Sequence, residues 1–167
     1  MFHVKLNMNV IYETMILSLF DHGFCITCFM NNKNSDNRTE KRKLGDKGED
    51  IACMFLMKRG FTIKDRNYLR KYGELDVVAE YKGIYHVIEV KSVSCEIQYY
   101  KNIDKNDRYR PEDNIHSWKL QRLSRVIQAY VSDKRLFNAD WQFDVITVYI
   151  DQRAGKAALE YLENIVL

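Results

Sequence analysis

The sequence predicts an α/β domain built on a mixed central β-sheet flanked by helices, and three observations carry that expectation. Between Gly73 and Ser92, two runs rich in Val, Ile and Tyr flank Lys82-Gly83, a two-residue turn whose glycine supplies the positive φ of a tight hairpin. Residues 143–150, FDVITVYI, form an apolar run of the kind that is buried on both faces of a sheet. Two other stretches carry apolar residues at helical spacing: Ile51, Ala52, Phe55 and Leu56, and then Ile115, Trp118, Leu123, Val126, Ile127 and Tyr130.

Composition narrows the classes. A chain of 167 residues, 46% hydrophobic, is long enough to bury a real core as one domain, and one proline with seven glycines excludes a fibrous or low-complexity chain. A formal net charge of +3 does not by itself imply a polyanionic partner, so local charge distribution has to carry that point. The four cysteines are few and unevenly placed, which points to a reducing, cytoplasmic compartment. Cys25-x-x-Cys28 has the spacing of a redox pair or half a zinc site, but no second Cys/His pair follows it.

Residues 1–29 are methionine-rich and interrupted by charges. Their longest uncharged run, Thr14 to Phe20, is too short to span a membrane, and no signal-peptide pattern is present. They read either as a short element packed on the domain or as an extension upstream of a natural start at Met30, and are expected to be peripheral. Residues 30–44 read as a basic polar linker, with Arg38, Lys41, Arg42 and Lys43 as solvated charges or a phosphate-contacting arm. The domain proper is expected over residues 45–167. Its first helix starts near Gly45 and stops at Gly60; Glu49 extends the buried stripe at its N-terminal end, or simply favours the positive end of the helix dipole.

Phe61 to Lys71 reads as a strand with a bend or bulge at Arg66-Asn67. The stretch from Ser94 to Asp113, rich in tyrosine and basic residues, reads as a long loop suited to stacking on nucleotides, or as a plain solvated loop. Pro111 opens the second helix, which bears Lys119, Arg122 and Arg125. Residues 151–156 form a turn before a short terminal strand or helix.

The hairpin carries the chemistry. If it is symmetric about Lys82-Gly83, Asp76 stands across from Glu89 and Glu74 across from Lys91, all four on one face. Leu75, Val77, Ala79, Tyr81, Ile84, His86, Ile88 and Val90 make the opposite, core face. Two carboxylates opposed at about 5 Å repel each other, so a cation is expected between them. Asp76 and Glu89 on adjacent strands suit a Mg²⁺ or Mn²⁺ ion, with Glu49 from the helix completing the ligand set and Lys91 holding water or phosphate. Glu74 is a further acid beside them or a partner to Lys91.

The segments GDKGEDIACMFLMKRGF, DRNY, GELDVVAEY, VIEVKS, IHSWKLQRL and FDVITVYI, in that order, resemble the YraN-like family of small proteins. That resemblance covers about Gly45 to the C-terminus. It implies a restriction-endonuclease-like core related to Holliday-junction resolvases, with a PD-(D/E)xK site formed by Glu49, Asp76, Glu89 and Lys91. It also marks Arg66, Asn67, Gly73 and Glu74 as family positions. The expected activity is metal-dependent phosphodiester hydrolysis on DNA ahead of RNA, including branched DNA, with Arg66, Arg70, Lys119 and Arg122 contacting nucleic acid. Cutting a junction symmetrically would call for a homodimer. Two alternatives stand beside it: a nuclease-fold protein that binds nucleic acid without turnover, and a metal-free hairpin whose acids pair with Lys91 and Arg66. No membrane association is expected.

Overall fold

A computed structural model describes residues 13–18, 39–97 and 117–165, with backbone alone for 13–18 and 117–120. The elements are β1 (Glu13–Ser18), α1 (Glu40–Lys58), β2 (Thr62–Arg70), β3 (Gly73–Tyr81), β4 (Ile84–Ser94), α2 (Ser117–Asp133), β5 (Asp140–Asp151) and β6 (Lys156–Leu162). They build a six-stranded sheet in the order β1-β6-β5-β4-β3-β2, antiparallel throughout except for the central β4–β5 pair. The sheet is mixed and flanked by helices, the α/β class that the sequence predicts. Among the described residues no helix is long and apolar enough to cross a membrane.

Helix α1 begins at Glu40, five residues before its expected start, so Lys41 to Leu44 are helical and not linker. Thr39 caps the helix, its hydroxyl accepting from the Arg42 N–H, and Lys43 reaches back one turn to Glu40. A cap and one i,i+3 ion pair carry that first turn, with no apolar periodicity to reveal it. At the other end Gly60 takes φ +88°, its N–H donating to Met57 and the Phe61 N–H donating to Leu56, which closes the helix in a Schellman arrangement.

The sheet is packed on both sides. Facing α1, Ile51, Phe55, Leu56, Val77, Ala79, Ile88, Val90, Ile146, Val148, Ile150 and Leu159 form one core. Facing α2, Tyr68, Leu75, Val78, Val87, Val126, Ile127, Tyr130, Phe143, Val145 and Leu162 form the second. Ile97, Tyr149 and Ala158 make a smaller third cluster. Strand β5 contributes to all three, as expected of an apolar run buried on both faces.

Beneath the first core a buried polar network ties three strands together. Asp144 accepts from Tyr161 Oη at 2.7 Å, from Gln142 Nε2 at 2.8 Å and from the Asn164 N–H at 2.8 Å, and lies 2.6 Å from His86 Nδ1. Every oxygen of this fully buried carboxylate is therefore satisfied, as its desolvation demands. Strand β1 lies at the sheet edge against β6, and the rest of residues 1–29 falls outside the described residues.

Candidate functional site

The hairpin turn has the conformation that the sequence requires: Lys82 and Gly83 take φ of +51° and +82°, and Tyr81 pairs with Ile84. From there the ladder runs to Val77 opposite Ile88 and then ends. Beyond that point β3 stays paired with β2 while β4 stays paired with β5. The two strands part where the register carries Asp76 across from Glu89. In place of the missing backbone bond, Asp76 Oδ2 accepts the Val90 N–H at 2.8 Å.

A second irregularity lies beside the first. Asn67 takes φ +52°, in the left-handed region, and on either side of it Arg66 pairs with Val77 and Tyr68 with Leu75. Arg66 and Val77 face α1, whereas Tyr68 and Leu75 join the core under α2. The pleat slips by one face at Asn67 and Asp76, because a left-handed residue interrupts the alternation. The expected grouping of Leu75 with Val77 is therefore incorrect, and so is the expectation of one shared face for Glu74, Asp76, Glu89 and Lys91. Glu74 turns to the α1 side, where its charge is felt by Glu49. Glu89 and Lys91 alternate with Ile88 and Val90 and so lie on the α2 side. The four groups reach the gap between β3 and β4 from both sides of the sheet.

Helix α1 delivers Glu49 to this gap. Gly48 packs so tightly on β4 that a Cβ at that position would lie 1.8 Å from Ser92 Oγ and 2.9 Å from Ser92 Cβ. Glu49 lies well inside the helix, too far from its N-terminus for the dipole to explain it. Its buried Oε2 has no hydrogen-bond partner among the described residues; the Arg66 guanidinium approaches it only to 3.7 Å. Burial raises the Glu49 pKa, opposed by Asn67 and Arg66. Asp76 is pushed up to about 7 by burial and then by the Glu89 carboxylate, with Glu49 adding to the effect. Lys91 Nζ pairs with Glu89 Oε1.

The basic residues separate into two groups. Arg66 is turned inward, donating to Asp50 Oδ1 at 2.7 Å, so part of its guanidinium is engaged on α1. Arg70 and Arg122 lie on the α2 side: Arg70 pairs with Asp133 and stacks 4.2 Å over the Tyr68 ring, and Arg122 Nε donates to the Tyr72 carbonyl at 3.0 Å. Lys119 belongs to α2, but its side chain lies outside the described residues, as does most of the loop from Ser94 to Asp113. Sequence reasoning passed over Gly48, Asp50 and the capping of Val90 by Asp76; the only trace of Gly48 in the sequence is a glycine placed one residue before the acid.

The residues present fit a divalent cation in charge and donor type. Three carboxylates and one ammonium face a partly buried gap, one carboxylate oxygen is buried without a hydrogen bond, and burial, with the Glu89 carboxylate beside it, pushes the Asp76 pKa up to about 7. The arrangement is not a closed cage: among the described residues no three acidic, His or Cys groups converge as a ready ligand cluster.

Comparison with known proteins gives a consistent result. The model of an uncharacterised protein family, UPF0102, matches residues 48–148, a span that begins at Gly48 and includes Glu49, Asp76, Glu89 and Lys91. A UPF0102 protein of Helicobacter pylori strain HPAG1 is 35% identical over 137 residues, covering 82% of this chain and 96% of that protein. One from Aliarcobacter butzleri is 35% identical over 127 residues, covering 75% and 98%. One from Clostridium acetobutylicum is 32% identical over 124 residues, covering 74% and 93%.

Proposed function

The chain belongs to the uncharacterised protein family UPF0102, and from that premise we propose that it is a Mg²⁺- or Mn²⁺-dependent endonuclease of the PD-(D/E)xK type acting on DNA, including branched DNA. The family name carries no activity, so the reading rests on one observation: Asp76, Glu89, Lys91 and Glu49 gather where β3 and β4 part. Asp76 and Glu89, with Glu49, would hold the ion. When bound, such an ion lowers the pKa of a coordinated water and offsets charge on the phosphorus oxygens.

The chain's own residues do the rest. Lys91, two residues beyond Glu89 on the same strand face, holds the attacking water or a phosphate oxygen through its ammonium. Glu74 sets the local field from the α1 side. Arg70 and Arg122, with Lys119, contact the phosphate backbone from the α2 side, where neutralised phosphates release counterions and make binding salt-dependent.

Calorimetric titration with Mn²⁺ tests the metal site: unchanged binding in the Asp76→Ala, Glu89→Ala double variant would overturn it. A cleavage assay with Mg²⁺ and Mn²⁺ on linear, flapped and four-way DNA tests the reaction.

A second reading, nucleic-acid binding without turnover, is favoured by the closure of Lys91 on Glu89. It gives DNA binding that weakens with salt, and no cleavage of any of the three substrates.

A further inference from the structure

On the α2 side of the sheet, the two apolar clusters are separated by a row of polar residues. Val87, Val145 and Leu162 belong to one cluster; Val93, Tyr149 and Ala158 belong to the other or pack against it. Between them the register places Lys91 beside Thr147 and Thr147 beside Glu160, on β4, β5 and β6. Cross-strand neighbours share a face and lie about 4.8 Å apart, so the three side chains stand in line. The row starts at the lysine of the gap and runs toward the far edge of the sheet.

Thr147 is the unexplained member. It is 1% exposed, and its Oγ1 has no hydrogen-bond partner among the described residues. A buried hydroxyl left unpaired is destabilising, and valine has the same shape without that penalty. On a strand already rich in valine and isoleucine, a purely structural position would be filled by valine. Glu160, 8% exposed, accepts from Tyr149 Oη at 3.2 Å, so an acceptor is already ordered on the other side of Thr147.

We propose that Thr147 is a positioning residue for Lys91, offering its hydroxyl as the acceptor to which the Lys91 ammonium moves when a divalent cation takes the Glu89 carboxylate. This rests on the metal-dependent reading above. Lys91 is paired with Glu89, and a cation cannot use that carboxylate fully while the ammonium holds it. Moved along the row, Lys91 donates to Thr147 Oγ1 and the Thr147 hydroxyl donates to Glu160. Each proton then has an acceptor, and the ammonium stays beside the gap where a phosphate would lie.

The test is Mn²⁺ binding by calorimetry in Thr147→Val, Thr147→Ser, Lys91→Met and the Thr147→Val, Lys91→Met pair. Thr147→Val should bind Mn²⁺ about tenfold more weakly, the scale of one hydrogen bond to a charged group, with no fall in thermal midpoint because an unpaired hydroxyl has been removed. Thr147→Ser should restore most of the affinity, and in the Lys91→Met background Thr147→Val should change nothing. Wild-type affinity in Thr147→Val, or an equal loss with and without Lys91, overturns the positioning role while leaving the metal site standing. Absence of Mn²⁺ binding in the unaltered protein overturns both.

Discussion

Gly48→Ala separates a tolerated helix substitution from one that reaches the site. In an exposed helix interior, replacing glycine by alanine adds about 1 kcal/mol of helix propensity. Here the new methyl group would meet Ser92 Oγ at 1.8 Å and Ser92 Cβ at 2.9 Å. Rotating the serine hydroxyl relieves the first contact but not the second, so α1 must lift away from β4. Overpacking of this kind costs about 1–3 kcal/mol, which leaves a net loss of up to about 2 kcal/mol. For a chain of this size a loss of about 2 kcal/mol lowers the thermal midpoint by about 4–8 °C, the upper end of the expected fall. Because Glu49 follows Gly48, Mn²⁺ affinity should fall with it. Ser92→Ala removes only the hydroxyl and should rescue little. Ser92→Gly leaves the backbone Cα at 3.7 Å, an ordinary contact, and should show a favourable coupling of about 1–3 kcal/mol with Gly48→Ala in a double-mutant cycle. Thermal unfolding and Mn²⁺ titration of the four proteins give the answer. A more stable Gly48→Ala, or a cycle without coupling, would refute the close approach of α1 to β4.

Three other outcomes are expected. Asp76 is raised to about 7 when folded, so between about pH 4 and 7 the folded state holds a proton that the unfolded state has lost; its contribution to stability falls as pH rises through that window, by a few kcal/mol in all. Denaturant midpoints at pH 4.5 and 7.5, measured with chelator, should therefore fall more with pH in the wild type than in Asp76→Asn, and equal slopes would contradict the shared burial of these acids. Asn67→Val forces a β-branched residue into the left-handed region and should cost about 1–2 kcal/mol in chemical unfolding, whereas Asn67→Gly should cost less than half as much. Asp144→Ala strips the acceptor from Tyr161, Gln142 and the Asn164 N–H and should cost about 3–5 kcal/mol, with DNA binding unchanged in whatever fraction remains folded.

The hairpin was legible because its register depends only on local chemistry. Lys82-Gly83 admits one tight turn, and counting outward from it places Asp76 opposite Glu89 without reference to the rest of the fold. The long apolar strand and the Gly60 stop were legible for the same reason. What escaped depends on long-range contacts or rare backbone states. The irregularity at Arg66-Asn67 was legible, but not that Asn67 takes the left-handed region and so moves Leu75 to the other core and Glu74 to the other face. The first turn of α1 has no apolar period and looks like a linker until Thr39 caps it. Arg66 reads as a surface cation until α1 brings Asp50 to it. Gly48 matters only because Ser92 lies beneath it, 44 positions away along the chain.

The bond from the Val90 N–H to Asp76 turns one backbone amide into a reporter. Most amides in the centre of a sheet are shielded by backbone carbonyls that no ligand perturbs, and they exchange with solvent only when strands separate. The Val90 amide is held by a titratable side chain at the candidate site, so its resonance and its hydrogen-exchange rate should follow the state of that carboxyl. An amide spectrum recorded with and without Mn²⁺, or across pH 5 to 9, would register occupancy of the gap at this position before any substrate is known.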